Sequence, residues 1–252
     1  MADAPRPILA VLIDADNTPA RLAGVIFEEI AALGEAAVRR VYGDFTSNHL
    51  SGWSKVQAEH GLVPQHSPAH TVGKNSSDIS LVIDAMDLLH SGRFGGFVLV
   101  SSDSDFTRLA SRVREQGLDV YGIGQQKTPE SFRKACKRFI FLENLGKEVA
   151  LPPAAIPAPA APAVAAAPVP DARPRPGTTD EARVMILRAM DAIDPEGDWV
   201  GLGALGQYLL RADPDFDPRT YGHKKLSDLI KTVRILETRV DSGNQLTVRR
   251  RD

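Results

Sequence analysis

The hydrophobic positions fall into short unbroken runs, each followed by polar residues and then by apolar residues at helical spacing. Residues 8–13 (Ile-Leu-Ala-Val-Leu-Ile) form one run and residues 97–100 (Phe-Val-Leu-Val) another. Runs of this length and composition predict strands buried on both faces, as in a parallel sheet. Residues 38–42 and 117–124 supply two more strands. Residues 62–64 fit an edge strand, because Pro64 cannot donate to a ladder. Between the strands, Leu22, Val25, Ile26 and Ile30 mark one helix, and Trp53 and Val56 a second that ends at Gly61. A largely apolar helix follows from Ser76 or Ser77 to about Leu89, and a fourth carries Phe106, Leu109, Ala110 and Val113. Arg133 with Lys137, and Lys134 with Arg138, sit at the spacing of a solvated basic helix. Strands alternating with helices predict an α/β fold with a mostly parallel central sheet.

Residues 151–177 break this rhythm. They are dominated by Ala and Pro, cannot bury a core, and read as a semi-rigid tether able to hold two units several tens of ångströms apart. Order resumes at Thr178, which forms a capping box with Glu181. Ala182, Ile186, Ala189, Met190 and Ile193 then share one helical face. A second helix is centred on Leu205, Tyr208 and Leu209, and a third on Leu226, Leu229, Ile230 and Val233. Residues 236–240 and 246–249, joined by the turn 241–244, form a hairpin. Three helices and a hairpin predict a small α+β winged-helix domain, with Trp199, Phe216 and Tyr221 in its core. The boundaries are then 1–150, 151–177 and 178–252.

Polar residues at the strand ends carry the candidate chemistry. The run 8–13 delivers Asp14, Asp16 and Asn17, and the run 97–100 delivers Ser101, Ser102, Asp103, Ser104 and Asp105. Ligands of open parallel sheets gather where strands end and helices begin. Asp14, contiguous with its strand, is expected to point inward. Asn17 can orient a water or a phosphate without adding charge, and Asp16 serves equally well as a helix cap. Asp103 and Asp105 at about 4 Å would repel by roughly 4 kcal/mol at an effective dielectric of about 20 unless a cation lay between them. N-capping is the competing role for Ser102 or Asp103. Asp78 falls in the first turn of its helix, where the macrodipole favours a negative charge. That helix must pack on the sheet, so its opening turn can face the same edge, with Asp84 and Asp87 as supporting groups. His60, His66 and His70 lack metal-ligand spacing and read as solvated surface.

The motifs Asp14-Ala-Asp-Asn17, Lys74-Asn-Ser-Ser-Asp78 with Asp84-Ala-Met-Asp87, and Ser101-Ser-Asp-Ser-Asp-Phe106 resemble the NYN domain. This is the branch of PIN-like nucleases that includes the LabA-like proteins. Lys127-Thr-Pro-Glu-Ser-Phe-Arg133 and Ala135-Cys-Lys-Arg-Phe-Ile140 extend the resemblance to about residue 145. It implies a PIN-like three-layer sandwich that binds divalent metal and cuts RNA, with Asp14, Asp78, Asp103 and Asp105 as an acidic cluster and Asn17 beside them. Oxygen ligands without cysteine suit Mg2+ or Mn2+. In that arrangement Asp14, Asp103 and Asp105 hold the metal in a single cage, and Asp78 completes its shell or positions the attacking water. Trp199-Val, Phe216 and Tyr221-Gly-His-Lys-Lys-Leu-Ser-Asp-Leu-Ile230 resemble the OST-HTH or LOTUS domain, a family associated with RNA or with protein partners. Lys74, Lys127, Arg133, Lys137, Lys224 and Lys225 are the candidate phosphate contacts.

Composition narrows the function classes. The chain has 252 residues and a formal net charge of -2, so any site for RNA is a local patch rather than bulk basicity. A single cysteine, Cys136, excludes an internal disulfide framework and a Cys-rich zinc site. No apolar run reaches membrane-spanning length and the first residues carry no signal-peptide pattern, so a cytoplasmic setting is expected. The expected function is a Mg2+- or Mn2+-dependent ribonuclease with a winged-helix module for RNA or a protein partner, with a homodimer left open. Two alternatives compete. One is a non-catalytic RNA-binding adaptor. The other is a haloacid-dehalogenase-type phosphatase, whose Asp-x-Asp-x-Thr loop Asp14-Ala-Asp16-Asn-Thr18 also fits.

Overall fold

Strand pairing follows the hydrophobic runs. The computed structural model describes residues 6–46, 50–66, 76–145, 178–194, 199–241 and 245–251. Six strands, β1 (Ile8–Asp14), β2 (Glu35–Gly43), β3 (Val63–His66), β4 (Gly96–Val100), β5 (Asp119–Gly124) and β6 (Arg138–Phe141), form one sheet in the order β3-β2-β1-β4-β5-β6. Every pairing in it is parallel. Helices α1 (Ala23–Leu33) and α2 (Ser51–His60) cover one face, packing on Leu9, Val11 and Ile13. Helices α3 (Ser76–His90), α4 (Thr107–Glu115) and α5 (Glu130–Ala135) cover the other, over Ala10, Leu12, Phe97 and Leu99. Coverage on both sides is why β1 and β4 read as continuous apolar runs. Strand β3 lies at the sheet margin, where the missing N–H of Pro64 is tolerated.

The basic helix expected over 133–138 does not form. Helix α5 stops at Ala135, Cys136 is extended, and Arg138–Phe141 becomes β6. The deciding period is two, not 3.6. Phe139 and Phe141 point into a cluster with Phe132, at ring separations of 5.8 and 5.5 Å along the chain of contacts, while Ile140 packs on the opposite face. Asp84, expected as a supporting group of the acidic edge, instead accepts from Arg40 and from the Tyr42 hydroxyl, both at 2.8 Å, and so anchors α3 to β2. Burial pushes the Cys136 thiol up to about 12, and it donates to the Phe132 carbonyl as an inert core group.

The C-terminal residues build α6 (Thr179–Ile193), β7 (Val200–Gly201), α7 (Leu202–Ala212), α8 (Leu226–Thr232), β8 (Leu236–Val240) and β9 (Leu246–Arg250). Thr178 and Glu181 form the expected capping box. The three strands pair antiparallel in the order β7-β9-β8, around a core that includes Ile186, Leu205, Phe216, Leu229, Ile230 and Val248. Trp199 stands apart from that core. The guanidinium groups of Arg239 and Arg249 lie 4.1 and 5.1 Å from its ring centre, so its face is covered by cations. Residues 151–177 and most of the hairpin turn, 242–244, lie outside the described residues.

The two sheets belong to units that touch, rather than standing apart as the tether alone allows. Strand β6 is a sheet edge, and its Phe139 N–H donates to the Pro214 carbonyl at 2.8 Å. Glu29 on α1 accepts from both terminal nitrogens of Arg219, at 3.0 and 3.2 Å, and from Arg138 at 3.4 Å. Arg133 pairs with Asp215, and Asn144 donates to Thr220 at 2.9 Å. An exposed edge strand is a liability, and here the second unit covers part of it.

Gly122 on β5 tests the packing under β6. A Cβ added there would lie 2.4 Å from a Phe139 ring carbon and 2.8 Å from the Cys136 sulfur, both fully buried. Gly122→Ala is expected to lower unfolding stability by about 1–3 kcal/mol in urea titration, the usual cost of overpacking.

Candidate active site

Strand order reverses between β1 and β4, because the chain runs outward from β1 to β3 and then returns to β4. A crevice opens at such a switch point outside the C-terminal strand ends. Asp14 is the last residue of β1, and Ser101 directly follows β4. The Ser101 hydroxyl donates to Asp14 Oδ2 at 2.7 Å and accepts the Asp103 N–H at 3.1 Å, tying the two strand ends together. Asn17 Nδ2 donates to the same Asp14 oxygen at 2.7 Å. The backbone N–H groups of Asp16 and Asn17 donate to Oδ1 at 3.1 and 3.2 Å. Asp14 therefore accepts four hydrogen bonds, about the capacity of a carboxylate, with 1% of its surface exposed. Burial raises its carboxyl above the usual range against the lowering effect of these donors.

The other candidates gather around this point. Asp103 caps a single 3-10 turn over Ser104–Phe106, accepting the Asp105 N–H at 2.9 Å. The capping role expected for Ser102 or Asp103 thus falls to Asp103, while Ser102 Oγ accepts the Gln125 N–H at 2.9 Å and links β4 to β5. Asp16 is exposed and caps neither α1 nor the turn before it, which is entered through Pro19. Instead Asp16 accepts the Ser77 hydroxyl at 3.1 Å, which draws the opening turn of α3 to the end of β1. Asp78 follows in that turn, half-buried. Its carboxyl is pushed up to about 6, first by burial and then by repulsion from Asp14, Asp103, Asp16 and Asp105. Five carboxylates from three chain segments thus feel one another at one sheet edge.

They do not close into a cage. Among the described residues, no group of three or more His, Cys, Asp or Glu side chains is arranged to hold a metal ion. The single cage expected for Asp14, Asp103 and Asp105 is therefore replaced by an open arrangement, and the hydrogen bonds above give the reason. Asp14 is saturated and buried, and Asp103 is turned to its own backbone cap.

The candidate cations divide. Lys127 is exposed on the loop after β5, on the carboxylate side of the sheet. Lys224 and Lys225 precede α8 and are exposed. Lys74, with Asn75 and His70, lies outside the described residues. Arg133 and Lys137 do not reach the carboxylate edge. Arg133 pairs with Asp215 of the second unit, and Lys137 pairs with Asp119 at 2.6 Å where β5 and β6 begin. The bridging roles of the Ser101 and Ser77 hydroxyls and the electrostatic part played by Asp16 were not evident in the sequence. The signal was a hydroxyl residue adjoining each acidic motif.

The match to the NYN domain spans residues 8–143, more than half of the chain. The chain belongs to the NYN domain family. A second match, to the OST-HTH/LOTUS domain, covers residues 178–248. The NYN match takes in the loop from Asp14 to Thr18 and runs on through Lys127 to Ile140, the stretch that the phosphatase pattern leaves unexplained. NYN domains are PIN-like members of a nuclease superfamily that generally uses divalent metals. Together with OST-HTH/LOTUS this points to an RNA-related nuclease or RNA-binding role. Among solved structures, the chain resembles a Vibrio parahaemolyticus protein of unknown function at 17% identity. That alignment covers 56% of this chain and 96% of the other, with a TM-score of 0.46. An uncharacterized Nitrosomonas europaea protein solved by NMR matches at 30% identity over 41% of this chain and 93% of its own, with a TM-score of 0.24. No curated protein matches the chain. No helix among the described residues is long and apolar enough to cross a membrane.

The raised Asp78 carboxyl of this NYN domain has a thermodynamic consequence. Folding takes up a proton between the ordinary carboxylate value of 3.8 and about 6, so stability falls as pH rises through that window. In chelator-treated protein, Asp78→Asn is expected to melt above wild type at about pH 7.5, with the gap closing near about pH 4, where both side chains are neutral. Thermal unfolding followed by circular dichroism at the two pH values checks it.

Proposed function

We propose that the chain is a Mg2+- or Mn2+-dependent ribonuclease that hydrolyses phosphodiester bonds at the edge formed by Asp14, Asp78, Asp103 and Asp105. In this reading residues 1–150 are the nuclease unit, 151–177 the tether, and 178–252 the module that brings RNA to it, in the cytoplasm. One observation carries the proposal: carboxylates from three separate segments meet at the switch point of a parallel sheet, held there by the Ser101–Asp14 and Ser77–Asp16 hydrogen bonds.

The residues fit a particular kind of metal site. Their donors are all oxygen, which suits a hard cation. The absence of a three-group cluster among the described residues limits the fit to an ion held by one or two carboxylates and otherwise hydrated. Asp105, which is exposed, would hold it together with Asp103 Oδ2, since the cap uses Asp103 Oδ1. Asp14 would join only if Asn17 or Ser101 released one of its oxygens. A bound divalent ion supplies an activated water and neutralises phosphate charge. Asp78, whose carboxyl is pushed up to about 6 by burial and the neighbouring carboxylates, is suited to take a proton at its carboxylate oxygen. Asn17 presents an amide that can orient a phosphate, and Lys127, Lys224 and Lys225 supply phosphate contacts.

The open geometry favours one second reading, an RNA-binding adaptor that holds metal without cutting. Cleavage of structured and unstructured RNAs in Mn2+ separates the two. Asp103→Asn is the informative variant, because asparagine caps as well as aspartate and so keeps the local turn. Wild type is expected to cleave, with the variant falling to the metal-free background at unchanged melting temperature. Cleavage retained by the variant would refute the assignment of Asp103, and no cleavage by wild type would favour the adaptor.

A further inference from the structure

A cleft of about 610 Å3 opens between the two units, on the side of the sheet where β5 and β6 begin, away from the carboxylate edge. Among the described residues its charged lining is cationic: Arg114, Lys137 and Arg138 from the first unit and Arg211 from α7 of the second. Two of these charges are balanced. Lys137 faces Asp119, and Arg138 faces Glu29. The other two are not. Among the described residues the exposed Arg114 donates only to the Cys136 carbonyl, at 3.4 Å, and the exposed Arg211 makes no ion pair. The wall also carries Tyr121 and Leu210, so a cationic rim adjoins apolar surface. A volume of this size, lined by cations from both units beside an apolar wall, resembles the pattern of a small-ligand site. The chemistry it fits is an anion with a flat apolar part.

We propose that this cleft is a phosphate site for a nucleotide, assembled only while the two units are in contact. Arg211 and Arg114 face the phosphate, and Tyr121 and Leu210 the base or sugar. The nucleotide is either a residue of an RNA strand or a free nucleotide, and both present the same phosphate. The contacts made by Pro214, Asp215, Arg219 and Thr220 set the distance between the walls, so the site depends on the Glu29–Arg219 pair although neither residue lines it.

Binding is measured on the full chain in chelator, where no cleavage occurs, so failure here is separate from failure of the nuclease reading. The probes are a labelled single-stranded oligoribonucleotide, read by anisotropy, and AMP, read by calorimetry. Arg211→Glu is expected to weaken binding by about tenfold or more. For the oligonucleotide, the variant should also make the dependence of log K on log salt shallower by about one unit. Loss on the oligonucleotide assigns an RNA strand, and loss on AMP alone assigns a free nucleotide. Arg211→Gln replaces the charge reversal if that variant melts early. Arg219→Glu, which sets a carboxylate against Glu29 and Asp217, is expected to expand the chain in small-angle scattering and to weaken the same probe. Wild-type affinity in the Arg211 variants, or undiminished binding by an expanded Arg219→Glu chain, would overturn the proposal.

Discussion

The Asp14 carboxylate joins the ends of β1 and β4, and the geometry of the acidic edge follows from how it is satisfied. Four donors meet its two oxygens in a site closed to water. A buried carboxylate short of partners would carry a desolvation cost of several kcal/mol. The loop from Asp16 to Asn17 therefore has to fold back over the strand end, and Ser101 has to point across from β4. Once those bonds are made, Asp16 is turned outward to Ser77 and Asp103 to its own cap. The remaining carboxylates stand within electrostatic reach of one another but without a shared centre. An open edge of this kind leaves room for water and for a phosphate between the side chains, which a closed cage would not.

Repulsion within this set is offset elsewhere in the fold. Asp84, in the middle of α3, is held by Arg40 and Tyr42 of β2, which fixes the helix whose first turn carries Asp78. The contact between the two units likewise rests on charges taken from elements of the first unit, Glu29 on α1 and Arg133 on α5. It is a polar interface that leaves Arg133 Nε and Asn144 Oδ1 buried without a partner among the described residues, a character shared with interfaces that separate and re-form.

Much of this was legible in the residues. Unbroken apolar runs ending in Asp14 and in Ser101 located β1 and β4 and the sheet edge between them, because a strand covered on both faces has no polar positions to confuse its period. Thr178 and Glu181 announced the first helix of the second unit. Strand β6 was not legible, since Arg133, Lys134, Lys137 and Arg138 imitate a helical charge pattern while the burial of Phe139 and Phe141 sets a period of two. Trp199 was misjudged for a related reason: an aromatic in a small domain reads as core, and its covering by Arg239 and Arg249 depends on β8 and β9 pairing in register. The contact between units was beyond reach, because a Pro- and Ala-rich tether encodes length and not docking. The saturation of Asp14 was equally hidden, for a motif names a carboxylate but not its hydrogen-bond partners.

Binding of Mn2+ to the metal-free full chain, followed by electron paramagnetic resonance in wild type and in the Asp103→Asn/Asp105→Asn double variant, tests the central claim most directly. The account predicts saturable binding by wild type that the double variant loses while remaining folded. Wild type that leaves the free-ion signal unchanged, or a double variant that binds as wild type does, would contradict it.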